Sequence, residues 1–449
     1  MKFRQNERTQ RTVRFAINVF CILVHVLFFY VIWMQVFNGH VYYARKGYIL
    51  YFAIYAASLA LFNHVFGGFN LGYNTTGDLI FSQILSSFFS LGVIYLQVSI
   101  VSKHFFGIGR LFFLFLIDAV ISVILCYLAN RIFYRMFPPK ETLMIYEKED
   151  QSIYDRILKY QSDSYDIRKK ESFTEFSRHM EELENYQCAV GVGLKPEQKE
   201  ALVEYAYDIT KPIYLLPDIY DVIINGGRNV YLVDTPMYMV NNFGPSQLEK
   251  IVKRIFDIVF SLILLVIMSP FLLITALAVK LQDGGPVFYK QTRLTQYGRE
   301  FEIIKFRSMK VDAEKVGGAQ LAKENDDRIT RVGKFIRATR LDEFPQLFNI
   351  LKGDMSVVGP RPERPELAAK IVEKLPEFHY RLKAKAGLTG YAQVYGKYNT
   401  KLKDKLLFDL IYIEHYSLLM DIRILFLTFK IVFKKESTEG VTDNELHID

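Results

Sequence analysis

"KRIFDIVFSLILLVIMSPFLLITALAVKLQDGGPVFYKQ", residues 253–291, contains an apolar run from Ile255 to Val279. A helix crosses the hydrocarbon core in roughly 20 residues, so this run is long enough to span. Its flanks argue otherwise. Lys250, Lys253 and Arg254 precede it and Lys280, Lys290 and Arg293 follow, and basic residues mark the cytoplasmic side. Ser269-Pro270 sits at its middle, where proline removes a backbone donor and bends a helix. A span would also put the polar chain that follows on the far side of the membrane. The expectation is a re-entrant helix over about 250–281 that breaks at Ser269-Pro270 and returns to the side it entered from. A kinked span is the competing reading, because prolines are tolerated in spanning helices.

Upstream, the chain reads as a membrane protein. Of its 449 residues 51% are hydrophobic and 15% aromatic, more than soluble globular proteins carry. Four further apolar stretches, near 13–37, 48–65, 79–101 and 111–133, are each of spanning length. Residues 1–137 are therefore expected to form four transmembrane helices. Lys2, Arg4, Arg8, Arg11 and Arg14 before the first, and Arg131, Arg135 and Lys140 around the end of the fourth, place both ends in the cytoplasm, although Arg45 and Lys46 would then lie outside. The first stretch is too long for a signal-peptide core and is read as retained. Cys21, Cys126 and Cys188 are scattered and suit neither a disulfide framework nor a metal cluster.

Pro138-Pro139 ends the membrane part. Over 138–247 the runs "TLMIY", "CAVGVGL" and "PIYLLP" alternate with the helical patterns "QSIYDRILKYQ" and "KPEQKEALVEYAYDI", the signature of a small α/β domain of βαβ type. Gly191-Val192-Gly193 lacks the third glycine of a dinucleotide loop and is read as a tight turn after a strand. Residues 248–449 are expected to form a mostly α-helical domain with the re-entrant helix and amphipathic surface helices. Within it, "VFYKQTR" and "REFEIIKFRSM" flank Tyr297-Gly298 as a hairpin.

The chemistry is concentrated in "ATRLDEFPQLFNILKGDMSVVGPRPERPE", residues 338–366. Arg331, Lys334, Arg337 and Arg340 fall at helical spacing just before Asp342-Glu343, which sets two carboxylates in a cationic, phosphate-sized field. A carboxylate there stays ionised, able to attack a phosphoryl group or hold a divalent metal. Capping or solvation is the ordinary role of such a pair near a helix start. Arg361, within Gly359-Pro360-Arg361-Pro362, stands on a rigid turn from which its planar fork can grip phosphate oxygens. The net charge of +8 suits anionic headgroups or phosphorylated substrates. Nucleic-acid binding is disfavoured, because the basic residues lie among membrane-seeking apolar runs.

In this order, "KRIFDIVFSLILLVIMSPFLL", "GGPVFYKQTR", "FEIIKFRSM", "DDRITRVGKFIRATRLDEFPQLFNILKGDMSVVGPRPERPE", "AGLTGYAQVYGK" and "FDLIYIEHYSLLMDIRILFLTF" resemble the bacterial sugar transferases, the monotopic polyprenyl-phosphate sugar-1-phosphate transferases. The four spans and the α/β domain are similar in architecture to the long form of that family. The resemblance implies transfer of a hexose 1-phosphate from a UDP-sugar to a polyprenyl (undecaprenyl) phosphate, with Mg2+, through a phosphosugar-aspartate intermediate. It implies Asp342 as nucleophile and Glu343 as its partner, both also as metal ligands. Lys305, Arg307, Arg337, Arg361 and Lys397 are implied as phosphate-binding residues and Ser269-Pro270 as the helix break. It further implies a multi-pass protein of the bacterial inner membrane whose catalytic domain faces the cytoplasm; a homodimer through the α/β domain is compatible with the sequence. The chain departs from the family pattern in "RLTQYG", at Ala386 and at Tyr391, positions that bear on loop shape and substrate preference. The D-x-x-D-G series of the CDP-alcohol phosphotransferases is absent, and a non-catalytic membrane scaffold is countered by the presence of Asp342 and Arg361.

Overall fold

The computed structural model describes residues 7–36, 47–103, 105, 107, 109–147, 151–240, 244–310, 328–396 and 400–432, in two compact units, Met1–Leu216 and Pro217–Asp449.

In the first unit, α1 (Glu7–Val36), α2 (Gly47–Phe66), α3 (Thr76–Ser102) and α4 (Gly109–Met136) coincide with the four expected spans. Together with Gln247–Asp283 they are the described helices long and apolar enough to cross a membrane. Their side chains are sorted as a lipid surround would require. Phe20, Leu27, Val120 and Ile132 point outward, while Phe29, Trp33, Tyr51, Tyr55, Leu59 and Ile94 pack within. Ionisable groups in such an interior need partners. Buried Asp118 on α4 accepts a hydrogen bond from Tyr55 on α2, and its Oδ1 lies 3.3 Å from Nδ1 of buried His25 on α1. One small polar cluster thus joins helices α1, α2 and α4.

The α/β part of this unit contains β1 (Lys140–Tyr146), α5 (Gln151–Gln161), β2 (Tyr165–Ser172), α6 (Phe173–Phe176), β3 (Cys188–Val192), α7 (Pro196–Asp208) and β4 (Ile213–Leu215). The strands form one parallel sheet in the order β2-β1-β3-β4. Strand β2, "YDIRKKES", escapes the sequence reading because it is charged, which suits the edge position it occupies. Gly193 takes φ +62° and turns the chain after β3, while a Cβ on Gly191 would stand 2.7 Å from Leu215 and 2.8 Å from Leu194. The glycines are there for a turn and for close packing, as the sequence suggests.

The second unit begins earlier than the expected boundary at 247. In α8 (Ile219–Asn225), Val222 is buried with Ile371, Phe378, Leu406 and Leu410, so this helix belongs to the C-terminal core. The hairpin of β5 (Arg228–Leu232) and β6 (Thr235–Met239) follows, then α9 (Gln247–Asp283), β7 (Phe288–Leu294) and β8 (Glu300–Phe306). Strands β7 and β8 pair antiparallel as predicted, and Tyr297 and Gly298 take φ +61° and +74° at the turn between them. The remaining elements are α10 (Arg331–Ala338), α11 (Gln346–Lys352), β9 (Ser356–Val358), α12 (Pro365–Lys374), β10 (Gly387–Thr389), α13 (Tyr391–Tyr395), α14 (Leu402–Glu414) and α15 (Leu418–Val432). Their centre is the cluster of Phe301, Ile303, Leu347, Ile350, Met355, Val357, Tyr412 and Ile424.

Helix α9 runs through Pro270 without interruption, so the expected break at Ser269-Pro270 is not a break in secondary structure. The reason is local. Pro270 has no N–H for the carbonyl of Val266 four residues earlier, and the Ser269 hydroxyl donates to that carbonyl instead, at 2.8 Å. Polar anchors tie the first part of α9 to the core. Lys253 donates to Asp421 at 2.7 Å, Arg254 to the Ile350 and Leu351 carbonyls at 2.6 and 2.7 Å, and buried Asp257 accepts from Val357 N at 2.9 Å. At the other end, Asp283 pairs with Arg307, and Val279 packs with Phe306 and Ile336. Between them Leu262, Ile263, Val266, Ile267, Phe271, Leu273 and Ile274 form an exposed apolar face.

Candidate active site

Three short devices bring Asp342 and Glu343 to one place. The Thr330 side chain accepts from Gly333 N at 2.9 Å and starts α10. Gly333 is required there, because a Cβ would lie 1.9 Å from the Ser308 carbonyl. Helix α10 then stops at Ala338, and Arg340 adopts φ +57°, turning the chain into a single 3-10 turn, Leu341–Glu343, ahead of α11. The expected cationic stripe is thereby corrected. Arg331, Lys334 and Arg337 belong to α10, whereas Arg340 lies beyond its end, with its guanidinium 3.9 Å from Glu343 Oε2.

Glu343 is the charge centre. Lys305 Nζ, on β8, lies 3.1 Å from its Oε1, and Arg361 Nη2 lies 3.6 Å from the same oxygen. Burial alone would raise the Glu343 pKa, but Lys305, Arg361 and Arg340 outweigh it and hold the carboxyl below its usual range. Asp342 differs. It has no ion pair among the described residues, and burial, followed by repulsion from Glu343, pushes its pKa up to about 6 against the opposing fields of Lys305, Arg337 and Arg340. Adjacent carboxylates in one cationic pocket are thus driven apart in acidity, one fixed as an anion and the other poised to titrate.

Arg361 is held by its backbone rather than by its side chain, which is 48% exposed. Gly359 N donates to the Thr389 carbonyl and Gly387 N to that of Pro360, both at 2.9 Å. Arg293 reaches the Pro362 carbonyl at 3.2 Å, and Leu294 N donates to that of Glu363 at 2.9 Å. A Cβ on Gly387 would stand 2.1 Å from Gly359 N, so the two loops meet backbone to backbone. Buried Arg381 completes the support, 3.4 Å from Glu363 and 2.8 Å from buried Asp409. The sequence reading gives Arg293 only as a flanking basic residue and does not name Arg381 or Asp409, because no spacing rule links residues so far apart.

The other expected site residues are distributed as follows. Arg307 is 8% exposed and paired with Asp283 against Gly285, where a Cβ would lie 2.2 Å from its guanidinium, so it ties β8 to α9 and is not in contact with the dyad. Arg337 acts on Asp342 through its field. Lys397 lies outside the described residues. Ser269 and Pro270 are exposed in the middle of α9. The donor chemistry fits a hard divalent cation: Mg2+ uses one or two carboxylates with water and phosphate oxygens, and Asp342 offers a carboxylate that forms no ion pair among the described residues, next to Glu343.

Comparison with known proteins places this site in context. The family profile for bacterial sugar transferases matches residues 248–435, which include every residue of the pocket. The chain is 41% identical over 191 residues to a UDP-N-acetylgalactosamine-undecaprenyl-phosphate N-acetylgalactosaminephosphotransferase of Aeromonas hydrophila, covering 42% of this chain and 45% of that protein. It is 40% identical over 247 residues to a UDP-glucose:undecaprenyl-phosphate glucose-1-phosphate transferase of Escherichia coli K12, covering 52% of this chain and 50% of the relative. The chain thus spans about half the length of these curated relatives. A third, the exopolysaccharide production protein PSS of Rhizobium leguminosarum bv. phaseoli, is 42% identical over 187 residues, 40% of this chain and 94% of its own length. With nearly the whole of that relative matched, and with the profile covering the domain that holds Asp342, Glu343 and Arg361, the chain belongs to the bacterial sugar transferase family.

Proposed function

We propose that the protein transfers a hexose 1-phosphate from a UDP-sugar to a polyprenyl phosphate of the undecaprenyl type, giving the polyprenyl diphosphate sugar and UMP. One observation carries the reading: within the family-matched domain, Asp342 is left without a described ion pair beside a Glu343 that gathers Lys305, Arg361 and Arg340.

The division of labour follows from that geometry. An Asp342 oxygen attacks the phosphorus that bears the sugar, the bond to the UMP oxygen breaks, and a phosphosugar-aspartate forms. An oxygen of the lipid phosphate then attacks the same phosphorus and the Asp342 carboxylate leaves, restored. Lys305, Arg340 and Arg361 surround the place where negative charge builds on the transferring group. Glu343 keeps them there in the resting enzyme, and the half-exposed Arg361 is free to turn to a phosphate oxygen. Mg2+, held by Asp342 and Glu343, would neutralise diphosphate charge when bound.

Helix α9 is proposed to enter the bilayer from the cytoplasmic face of the inner membrane without crossing it. Both its ends are bonded to the same catalytic unit, through Lys253, Arg254 and Asp257 at one and Asp283 at the other, while an apolar face lies open between them. This puts the dyad at headgroup level, where a lipid phosphate is found. The test is to incubate membranes containing the protein with a panel of UDP-sugars and undecaprenyl phosphate and to measure UMP. Release dependent on one or more sugars supports the reading, and no release with any of them overturns it.

A further inference from the structure

The α/β domain holds a second constellation that the transfer reaction does not use. Glu171 lies near the end of β2 with its side chain 7% exposed. His179 Nε2 stands 2.8 Å from Glu171 Oε1 and 3.1 Å from Oε2 of Glu182, in the 3-10 turn Met180–Asn185. One ligand atom from each of these residues lies within 4.8 Å of the others. Tetrahedral zinc with bonds of about 2.0–2.1 Å sets its ligand atoms roughly 3.3 Å apart, so the histidine contacts need to open by only about half an ångström.

A separate observation concerns Glu171 Oε2. It is buried, and the charge that faces it is the Lys169 ammonium, at an ion-pair distance of 3.2 Å. A desolvated carboxylate oxygen needs a cation or a donor on it, and a metal ion in place of the ammonium would meet that need. The same Lys169 ammonium lies 2.7 and 2.9 Å from the two Glu182 oxygens. It occupies the position a metal would take, yet its side chain is 39% exposed on a flexible stem, and His179 is 40% exposed, so solvent reaches the cluster. We infer that Glu171, His179 and Glu182 form a binding site for a divalent transition cation of the zinc class, with Lys169 as a built-in competitor for the same oxygens. The imidazole ligand selects such a cation over magnesium or calcium, which prefer oxygen alone. Metal would pin the end of β2 to the segment that leads into β3.

The test uses the full-length, tag-free protein in detergent. Calorimetric titration with ZnCl2, and metal content after dialysis, should give one zinc per chain, undisturbed by a tenfold excess of MgCl2. His179→Ala and Glu182→Gln, both on accessible side chains, should each weaken binding at least tenfold, while UMP release without added zinc is unchanged. Lys169→Met should tighten binding, the reverse of what a purely structural ion-pair network gives. The inference is overturned if the wild type retains no zinc, if the His179→Ala/Glu182→Gln double variant binds as the wild type does, or if Lys169→Met leaves the affinity unchanged.

Discussion

Lys305 Nζ lies 3.1 Å from Glu343 Oε1, whereas the carboxylate one residue earlier, Asp342, has no such partner among the described residues. That asymmetry is why Asp342 is the proposed nucleophile. Asp342→Asn keeps the shape and removes the charge, so it should abolish both half-reactions, a loss of about 1,000-fold or more. In a lipid-free incubation with UDP-sugar labelled in the phosphate next to the sugar, the wild type should release UMP and retain label at Asp342. Unlabelled protein at full activity would leave the dyad as a metal site.

The raised Asp342 pKa gives a pH signature. Its ionised form is the reactive one, so kcat/KM should rise with pH to a plateau above about 6 and fall tenfold per unit below it. Stability moves oppositely. A group whose folded pKa lies above its unfolded value of 3.8 favours the fold below that value and loses the contribution as pH rises through about 6. Asp342→Asn should therefore unfold later than wild type at pH 7.5, by about 1–3 kcal/mol, with the gain gone near pH 3.5. Thermal unfolding of the solubilised protein at both pH values measures this.

Two of the arginines flagged by the sequence should respond differently. Arg361→Lys keeps charge but loses the planar fork, and turnover should fall by about tenfold or more without loss of folding. Arg307→Gln should instead lower stability, because it removes the tie between Asp283 at the end of α9 and the buried Arg307 beside β8. Combining it with Asp283→Asn should recover part of that loss, as a double-mutant cycle would record.

Helix α9 offers a paired test. Ser269→Ala leaves the Val266 carbonyl without a donor and should cost about 1 kcal/mol. In a Pro270→Ala background the backbone N–H returns, and the same substitution should cost little. The non-spanning arrangement is checked in whole cells by single cysteines, Gln247→Cys and Gln282→Cys, in a chain without Cys21, Cys126 and Cys188. Both should be shielded from a membrane-impermeant thiol reagent; labelling at Gln282→Cys alone would mean a span.

Local patterning carried much of this protein into view. The four long apolar helices, the α/β alternation, the β7–β8 turn at Tyr297-Gly298 and the run of basic residues just before Asp342-Glu343 depend on residues within a turn or a strand of one another, and periodicity encodes such neighbours. The tertiary structure decided the rest. Arg307 and Arg361 look equally suited to phosphate in the sequence, but one is neutralised by Asp283, 24 residues away, and the other stands open 3.6 Å from Glu343. Arg340 fits a helical stripe, yet leaves it through a left-handed turn beyond the end of α10. Val222, on the expected α/β side of the boundary, joins a core built from residues some 150 positions later, Ile371 among them. An ion pair or a core contact over such separations depends on which surfaces meet when the chain folds, and no short-range spacing records that choice.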